Sequence, residues 1–200
     1  MEAAAFSTGR GFRSARFVAG YTVLRIALTP VVMLLLTLDG RTSGLLSVAA
    51  LALFLAAAAT DWIDGLLARR WQVTTTLGSF LDTTADKLLV TGLLFALVAI
   101  ERTSPWVAVV IVARELIILG LRGIVAAQGT VMAPSRLGKL KTGIQFLALS
   151  LAIVRPDIVI GGSFLDEWAM LAAAVITVVS AVDYLTKFSS SLTDSASSSA

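Results

Sequence analysis

The chain has 200 residues, of which 57% are hydrophobic and 14% charged, and its formal net charge is +3. Soluble domains carry about 25% charged residues, so this composition points to a membrane protein. The chain contains no cysteine and no histidine, which excludes disulfides, thiolate nucleophiles, zinc sites of the Cys/His kind and a Ser-His-Asp triad. Any metal site must therefore use oxygen ligands.

The N-terminal residues 5–16 mix two phenylalanines with Arg10, Arg13 and Arg16. This pattern predicts a short amphipathic juxtamembrane segment on an anionic membrane surface, and a disordered tail with an orientation signal is the alternative. The apolar run that follows is too long for a signal peptide and ends in no small-residue cleavage site. We therefore predict that it is retained as the first membrane helix.

Apolar runs long enough to cross a membrane as helices of about 20 residues recur along the chain. They predict an all-α integral membrane fold. No repeat or second domain is evident, so residues 1–188 are predicted to form one membrane domain and the Ser-rich residues 189–200 a disordered tail. The six transmembrane helices are predicted near residues 17–38, 44–67, 79–100, 105–127, 140–155 and 164–186.

The basic residues predict the orientation of these helices. Only Arg41, Arg102 and Arg155 of the 16 Lys and Arg residues fall in the loops after the odd-numbered spans. Because cytoplasmic loops are enriched in Lys and Arg, both termini and the loops after the even-numbered spans are predicted to be cytoplasmic.

Four aspartates form two closely spaced pairs. Asp61 and Asp64 lie at the cytoplasmic end of the second span, and Asp82 and Asp86 lie near the start of the third. Spacings of three and four bring side chains to one face of a helix. A short connection makes the two spans antiparallel neighbours, so the four carboxylates are predicted to share one pocket.

Four carboxylates in or near a membrane repel one another, so they need a counter-charge. Two divalent cations would supply it, and all-oxygen ligation suits Mg²⁺, Mn²⁺ or Ca²⁺. Two-metal sites of this kind commonly clamp phosphates during displacement reactions. The pattern therefore favours phosphoryl-type chemistry near one membrane face.

Two other interpretations stay open for the aspartates. They could cap helices or pair with Arg69, Arg70 and Lys87, or they could line the pathway of a cation or proton transporter. Gly65 and Gly78 favour the enzyme, because they remove side chains where a bulky ligand could approach the backbone. The start of the third span also offers free N–H groups to a phosphate.

The whole stretch reads D-x2-D-G-x2-A-R-x8-G-x3-D-x3-D over residues 61–86. It resembles the signature of the CDP-alcohol phosphotransferases, integral membrane enzymes of phospholipid synthesis. The resemblance implies a six-helix fold, often a homodimer, in which two Mg²⁺ or Mn²⁺ ions are held by Asp61, Asp64, Asp82 and Asp86. It also implies that Asp86 is the general base. The residues implied to bind the CDP-linked donor are Asp64, Gly65, Ala68, Arg69, Gly78 and Ser79.

Basic residues on the other spans point to the acceptor. Charges near mid-membrane, such as Arg114 and Glu115 in the fourth span, must face a polar cavity or each other. A structural Arg114–Glu115 pair is thus one alternative, and an orientation signal is another for Lys139. The basic residues on these spans predict an anionic acceptor that carries its own phosphate. The residues predicted to bind that phosphate are Arg25, Arg114, Arg122, Lys139 and Lys141.

Residues 22–25, 113–116, 121–122 and 138–142 resemble one branch of the family, the bacterial phosphatidylglycerophosphate synthases. That branch implies CDP-diacylglycerol as donor, sn-glycerol 3-phosphate as acceptor and CMP as a product. Residues 18–21 depart from the branch, which has an Asn-Leu-type stretch there. A synthase of the same family that uses inositol phosphate or another alcohol is therefore the alternative.

Overall fold

The computed structural model describes the backbone of residues 9–71, 76–127 and 136–197. Side chains are described for residues 22–60, 81, 83–126, 137–138, 140–186 and 188. The described chain is almost entirely α-helical, as predicted. Its helices are α1 (Gly9–Asp39), α2 (Leu45–Trp71), α3 (Thr76–Ala99), α4 (Pro105–Ala127), α5 (Arg136–Val154) and α6 (Leu165–Ser197), and the strands β1 (Val159–Ile160) and β2 (Ser163–Phe164) lie between α5 and α6.

Two of these helices contain segments that are long and apolar enough to cross a membrane: Thr22–Asp39 of α1 and Leu165–Thr186 of α6. Leu45–Thr60 and Leu140–Val154 are shorter apolar stretches. The described α-helices agree with an all-α membrane protein, whereas the six predicted spans stay a prediction. On α6, large apolar side chains are exposed at Leu171, Val175, Val178, Val179 and Val182. Exposed apolar surface of this extent is typical of a protein that contacts lipid.

The first of two compact units comprises residues 1–96. Here α1 packs against α2, and the carboxylate of Asp39 joins them by accepting hydrogen bonds from the backbone N–H of Gly44 at 2.7 Å and of Ser47 at 2.9 Å. These are donors that the first turn of a helix cannot satisfy itself. Asp39 therefore caps α2 and fixes the α1–α2 connection.

The second unit comprises residues 97–200, in which α6 packs against both α4 and α5. Its core contains Ile111 of α4, Leu149 and Ile153 of α5, and Met170 and Ala173 of α6, all at most 2% exposed. Three helices thus surround one apolar core. The buried polar groups of the candidate site interrupt this core.

Arg102 is buried, although the sequence suggested only a charge in an outer loop. Its Nη1 donates hydrogen bonds to the backbone carbonyls of Ile153 and of Ala152, the latter at 3.4 Å. These carbonyls belong to the last turn of α5, which has no helical N–H to bind them. Arg102 therefore caps the carboxyl end of α5, where the negative end of the helix dipole favours a cation.

A β-hairpin occupies the connection between α5 and α6, which was predicted as a plain loop. Val159 pairs with Phe164 and Ile160 with Ser163, and the two-residue turn between them is Gly161-Gly162 with φ of 62° and 89°. Glycine adopts these positive φ values without the steric cost that other residues meet. The hairpin thus depends on this glycine pair.

Two boundaries differ from the prediction. Helix α1 begins at Gly9, so residues 9–16 are continuous with the first long helix rather than a separate segment. Helix α6 continues to Ser197, into the tail that was predicted to be disordered from residue 189. No glycine or proline follows Leu165 in α6, so nothing in its sequence breaks the helix where the apolar run ends.

Candidate active site

The aspartate motif lies on two unbroken helical segments. Helix α2 continues through Asp61 and Asp64, and α3 contains Asp82 and Asp86. In a helix of 3.6 residues per turn, positions three or four apart lie on the same side of the backbone. The backbone of each helix therefore agrees with the predicted pairing. The side chains of Asp61, Asp64 and Asp82 lie outside the described residues.

Asp86 is the motif aspartate whose side chain the structure describes. It is half-buried and is followed one turn later by Leu89, which is 1% exposed, while the preceding residue Ala85 is completely buried. The carboxylate thus lies where the polar start of α3 meets its apolar continuation. A half-buried carboxylate at this boundary can be reached by a substrate.

The donor set fits divalent metal ions. Mg²⁺ and Mn²⁺ prefer oxygen ligands, and the motif supplies four carboxylates in a chain without histidine or cysteine. Among the described side chains, no group of three acidic residues forms a metal site, and three of the four motif aspartates lie outside that set. The assignment of the ligands therefore stays a prediction from the motif.

The residues predicted to contact the donor lie on the same helices. Gly65, Ala68 and Arg69 belong to the last turns of α2, and Gly78 and Ser79 to the first turn of α3. Their side chains lie outside the described residues, so their roles stay predictions.

Arg25, which was predicted to bind the acceptor, lies on α1 in the same unit. Its side chain is 2% exposed, and the hydroxyl of Thr29 donates to its backbone carbonyl at 3.0 Å. A guanidinium this deeply buried must be compensated by other polar groups or by charge. Its burial is more than an orientation signal would require.

The second unit contains a buried ionic cluster that we call the basic cluster, formed by Arg114, Glu115 and Lys141. The Oε1 of Glu115 accepts from the ammonium of Lys141 on α5 and from Nη1 of Arg114 at 3.4 Å. The side chains of Glu115 and Lys141 are 3% and 4% exposed. The side chains of Arg114, Glu115 and Lys141 together carry a formal charge of +1. Such a cluster is suited to an anion.

Ser180 of α6 also contacts the basic cluster. The sequence patterns do not predict this role for Ser180. Nη2 of Arg114 donates to its hydroxyl oxygen at 2.9 Å. The signal that could have found it is the spacing of Thr177, Ser180 and Tyr184, which are all buried on one face of an otherwise apolar helix.

The two remaining acceptor candidates are Arg122 and Lys139. Arg122 lies two turns further along α4 and its side chain is exposed. The side chain of Lys139 lies outside the described residues, although its backbone belongs to the first turn of α5. The structure therefore brings Arg114 and Lys141 to one carboxylate, and phosphate binding stays a prediction for all the acceptor candidates.

Residues 19–181 match the family model described as CDP-alcohol phosphatidyltransferase. The match covers most of the chain and includes all of residues 61–86. The chain belongs to the CDP-alcohol phosphatidyltransferase family. The resemblance drawn from the aspartate motif is thereby confirmed, and members of this family generally use divalent metal ions.

Several curated relatives carry the same name, CDP-diacylglycerol--glycerol-3-phosphate 3-phosphatidyltransferase. The Bacillus subtilis protein is 36% identical over 177 residues, which are 83% of this chain and 91% of the relative. The Escherichia coli K12 protein is 39% identical over 182 residues, with 86% and 94% of the two chains covered. The Sodalis glossinidius protein is 44% identical over 138 residues, which are 66% of this chain and 74% of that one.

Proposed function

We propose that this CDP-alcohol phosphatidyltransferase transfers the phosphatidyl group of CDP-diacylglycerol to sn-glycerol 3-phosphate, giving phosphatidylglycerophosphate and CMP. The observation that carries this proposal is the complete aspartate motif in a chain that is 36–44% identical to relatives named for this reaction. The buried basic cluster supports the choice of an acceptor with its own phosphate.

Two divalent ions, Mg²⁺ or Mn²⁺, are proposed to bind Asp61, Asp64, Asp82 and Asp86. The chemistry that such ions supply is neutralisation of the negative charge on the donor diphosphate and on the departing CMP. Gly65, Ala68, Gly78 and Ser79 are proposed to line the cytidine and diphosphate site, where small residues leave room for the nucleotide. Arg69 is proposed to bind the donor together with Asp64.

Asp86 is proposed to accept the proton of the 1-hydroxyl of glycerol 3-phosphate. That oxygen forms a bond to the phosphorus that bears the diacylglycerol group, and the bond from this phosphorus to the CMP oxygen breaks. The proton remains on the Asp86 carboxylate and the electron pair leaves with CMP. The half-buried position of Asp86 supports this role, because a general base must reach the hydroxyl that it deprotonates.

The phosphate of the acceptor is proposed to bind Arg25, Arg114, Arg122, Lys139 and Lys141. Arg114 and Lys141 contribute charges that are already held inside the protein, so less conformational entropy is lost when an anion binds. Guanidinium and ammonium groups form the strongest hydrogen bonds with phosphate. This preference favours glycerol 3-phosphate over free glycerol or free inositol.

The proposed enzyme is a homodimer in the bacterial cytoplasmic membrane, with six spans and both termini on the cytoplasmic side. Support comes from the apolar helices, the exposed apolar residues of α6 and the distribution of Lys and Arg. The active site would then face the compartment that contains soluble glycerol 3-phosphate.

Release of CMP tests the proposal directly. The purified protein is mixed with CDP-diacylglycerol, Mg²⁺ or Mn²⁺ and one acceptor at a time: glycerol 3-phosphate, inositol phosphate, glycerol or inositol. We expect rapid release with glycerol 3-phosphate and little with the uncharged alcohols. Preference for inositol phosphate would change the acceptor but keep the family chemistry. Cation flux in liposomes without any CMP would indicate a transporter.

A further inference from the structure

Ser180 is a polar residue in the apolar middle of α6. It is 1% exposed, and its hydroxyl oxygen accepts a hydrogen bond from Nη2 of Arg114 on α4 at 2.9 Å. The adjacent Val178 and Val179 are about half exposed, as expected for the outer side of the helix. Ser180 thus faces inward and links two helices of the second unit through a charged hydrogen bond.

The ion pair between Arg114 and its neighbour Glu115 has unfavourable geometry, so it does not fix the position of the guanidinium by itself. Consecutive residues of a helix project about 100° apart and do not face each other. The distance from Nη1 of Arg114 to Oε1 of Glu115 is accordingly long, at 3.4 Å, and the same oxygen also accepts from Lys141. The contact with Ser180 is therefore the shorter and better placed of the two.

The guanidinium of Arg114 also carries an Nε–H donor. Its Nε is buried and has no hydrogen-bond partner among the residues that the structure describes. The side chain as a whole is 12% exposed. A buried guanidinium N–H without a partner is costly, and an anionic oxygen is the partner that would satisfy it best. Within the described residues, the Nε–H of Arg114 is therefore available to an anionic group.

We infer that Ser180 is a positioning residue that holds the Arg114 guanidinium so that its Nε–H stays available to the phosphate of a phosphomonoester acceptor. This inference rests on the proposed function. Ser180 acts through Arg114 and does not itself contact the reacting atoms. Through Ser180, helix α6 would contribute to acceptor selectivity, although none of the site residues predicted from the sequence lies on α6.

The test compares Ser180→Ala with Ser180→Thr, which keeps the hydroxyl, and with Ser150→Ala. Ser150 is a matched control, because its hydroxyl donates to the backbone carbonyl of Phe146 one turn back in α5, at 2.8 Å. We expect Ser180→Ala to raise the KM for glycerol 3-phosphate about three- to tenfold, the range of one ordinary hydrogen bond. The KM for CDP-diacylglycerol and the kcat should change less than twofold, and Ser180→Thr should restore most of the acceptor affinity.

A double substitution shows whether Ser180 acts through Arg114. In the background of Arg114→Lys, which removes the guanidinium, Ser180→Ala should have no further effect on the acceptor KM, because interacting residues are not additive. An unchanged acceptor KM in Ser180→Ala would overturn the inference. So would an effect of Ser180→Ala in the Arg114→Lys background that equals its effect in the wild type. Neither result would affect the proposed function as long as the wild type is active. Absence of CMP release in the wild type overturns both.

Discussion

At the scale of single residues, substitution of Asp86 tests proton transfer, and substitution of Asp61 or Asp64 tests metal binding. We expect Asp86→Asn to abolish turnover while CDP-diacylglycerol still binds, because three carboxylates of the motif remain to hold metal ions and the motif assigns the role of base to Asp86. Asp61→Asn and Asp64→Asn should weaken metal and donor binding as well. Single-turnover CMP release measures the first effect, and titration with the donor measures the second.

The control for this set is Asp157→Asn, which removes an exposed carboxylate from the connection between α5 and α6. It should retain wild-type activity. If Asp86→Asn retained most of its kcat, Asp86 would be a metal ligand only, and the general base would have to be another group.

The basic cluster predicts a selective loss of acceptor affinity. Replacement of Arg114 or Lys141 by Ala should raise the KM for glycerol 3-phosphate roughly ten- to a hundredfold, since a hydrogen bond to a charged group contributes about 1.5–3 kcal/mol. The KM for CDP-diacylglycerol should change much less. Arg41→Ala, an exposed cation in the α1–α2 connection, is the control.

Two outcomes would contradict this assignment. Equal changes in both KM values would show that the cluster supports the site as a whole. A lower yield of inserted protein with unchanged KM would show that these residues only determine orientation. Because Lys141 and Glu115 are buried together, a loss of thermal stability is expected alongside the change in KM and does not replace it.

The sequence indicates candidate charged residues more readily than the residues that position them. The aspartates and Arg114 are easy to recognise, because an ionisable group inside an apolar run is costly and usually has a function. Ser180 did not stand out, since a serine in a membrane helix often satisfies itself by bonding its own backbone, as Thr29 and Ser150 do here. The contact of Glu115 with both Arg114 and Lys141 depends on the position of α5 relative to α4. A local sequence pattern does not predict that position.

At the scale of helices and strands, most predicted ends agree with the structure within four residues, because hydrophobic runs mark where helices are. The exceptions are the start of α1 and the end of α6, where helix continues into polar sequence. Apolar run length determines where lipid ends and does not determine where the helix ends. The hairpin was missed although Gly161-Gly162 is a known turn signal, because strands of two residues show no alternation.

Gly92 on α3 offers a stability test of helix packing in the first unit. A Cβ atom there would lie 2.6 Å from Cγ2 of Thr29 and 2.9 Å from Sδ of Met33 on α1. Met33 can move its flexible end, whereas Thr29 is β-branched and its hydroxyl is bonded to the backbone. We therefore expect Gly92→Ala to lower the free energy of unfolding by about 1–3 kcal/mol.

Gly120→Ala is the matched control for this substitution. Gly120 lies within α4, and nothing lies within 4 Å of a Cβ placed on it. Alanine is favoured over glycine in a helix, so this variant should be neutral or more stable by up to about 1 kcal/mol. Thermal unfolding in detergent compares the two. Equal unfolding temperatures would contradict the close approach of α1 and α3.

At the scale of the whole molecule, the six proposed spans can be tested with single cysteines, because the chain has none of its own. Ser43→Cys and Asp157→Cys lie in exposed connections, after α1 and after α5. Gln72→Cys and Thr130→Cys lie in the connections after α2 and α4, outside the described residues. Variants of the first pair should react with a membrane-impermeant maleimide in right-side-out vesicles, and variants of the second pair only in inverted vesicles.

Detergent should make all four cysteines reactive, which controls for local shielding. If the two pairs reacted from the same side, the alternation of spans would be wrong, and so would the placement of the aspartate motif on the cytoplasmic face. If the sides were reversed for both pairs, the number of spans would stand and the orientation would fail.

The central claim is that the aspartate motif transfers a phosphatidyl group to glycerol 3-phosphate, and the most direct measurement follows the acceptor carbon into lipid. Reconstituted protein is given CDP-diacylglycerol, Mg²⁺ and ¹³C-labelled glycerol 3-phosphate, and the lipids are analysed by mass spectrometry. We expect labelled phosphatidylglycerophosphate and an equal amount of CMP, and we expect both to be absent with excess EDTA and in Asp86→Asn. CMP without label in the lipid, or label that persists in excess EDTA, would contradict it.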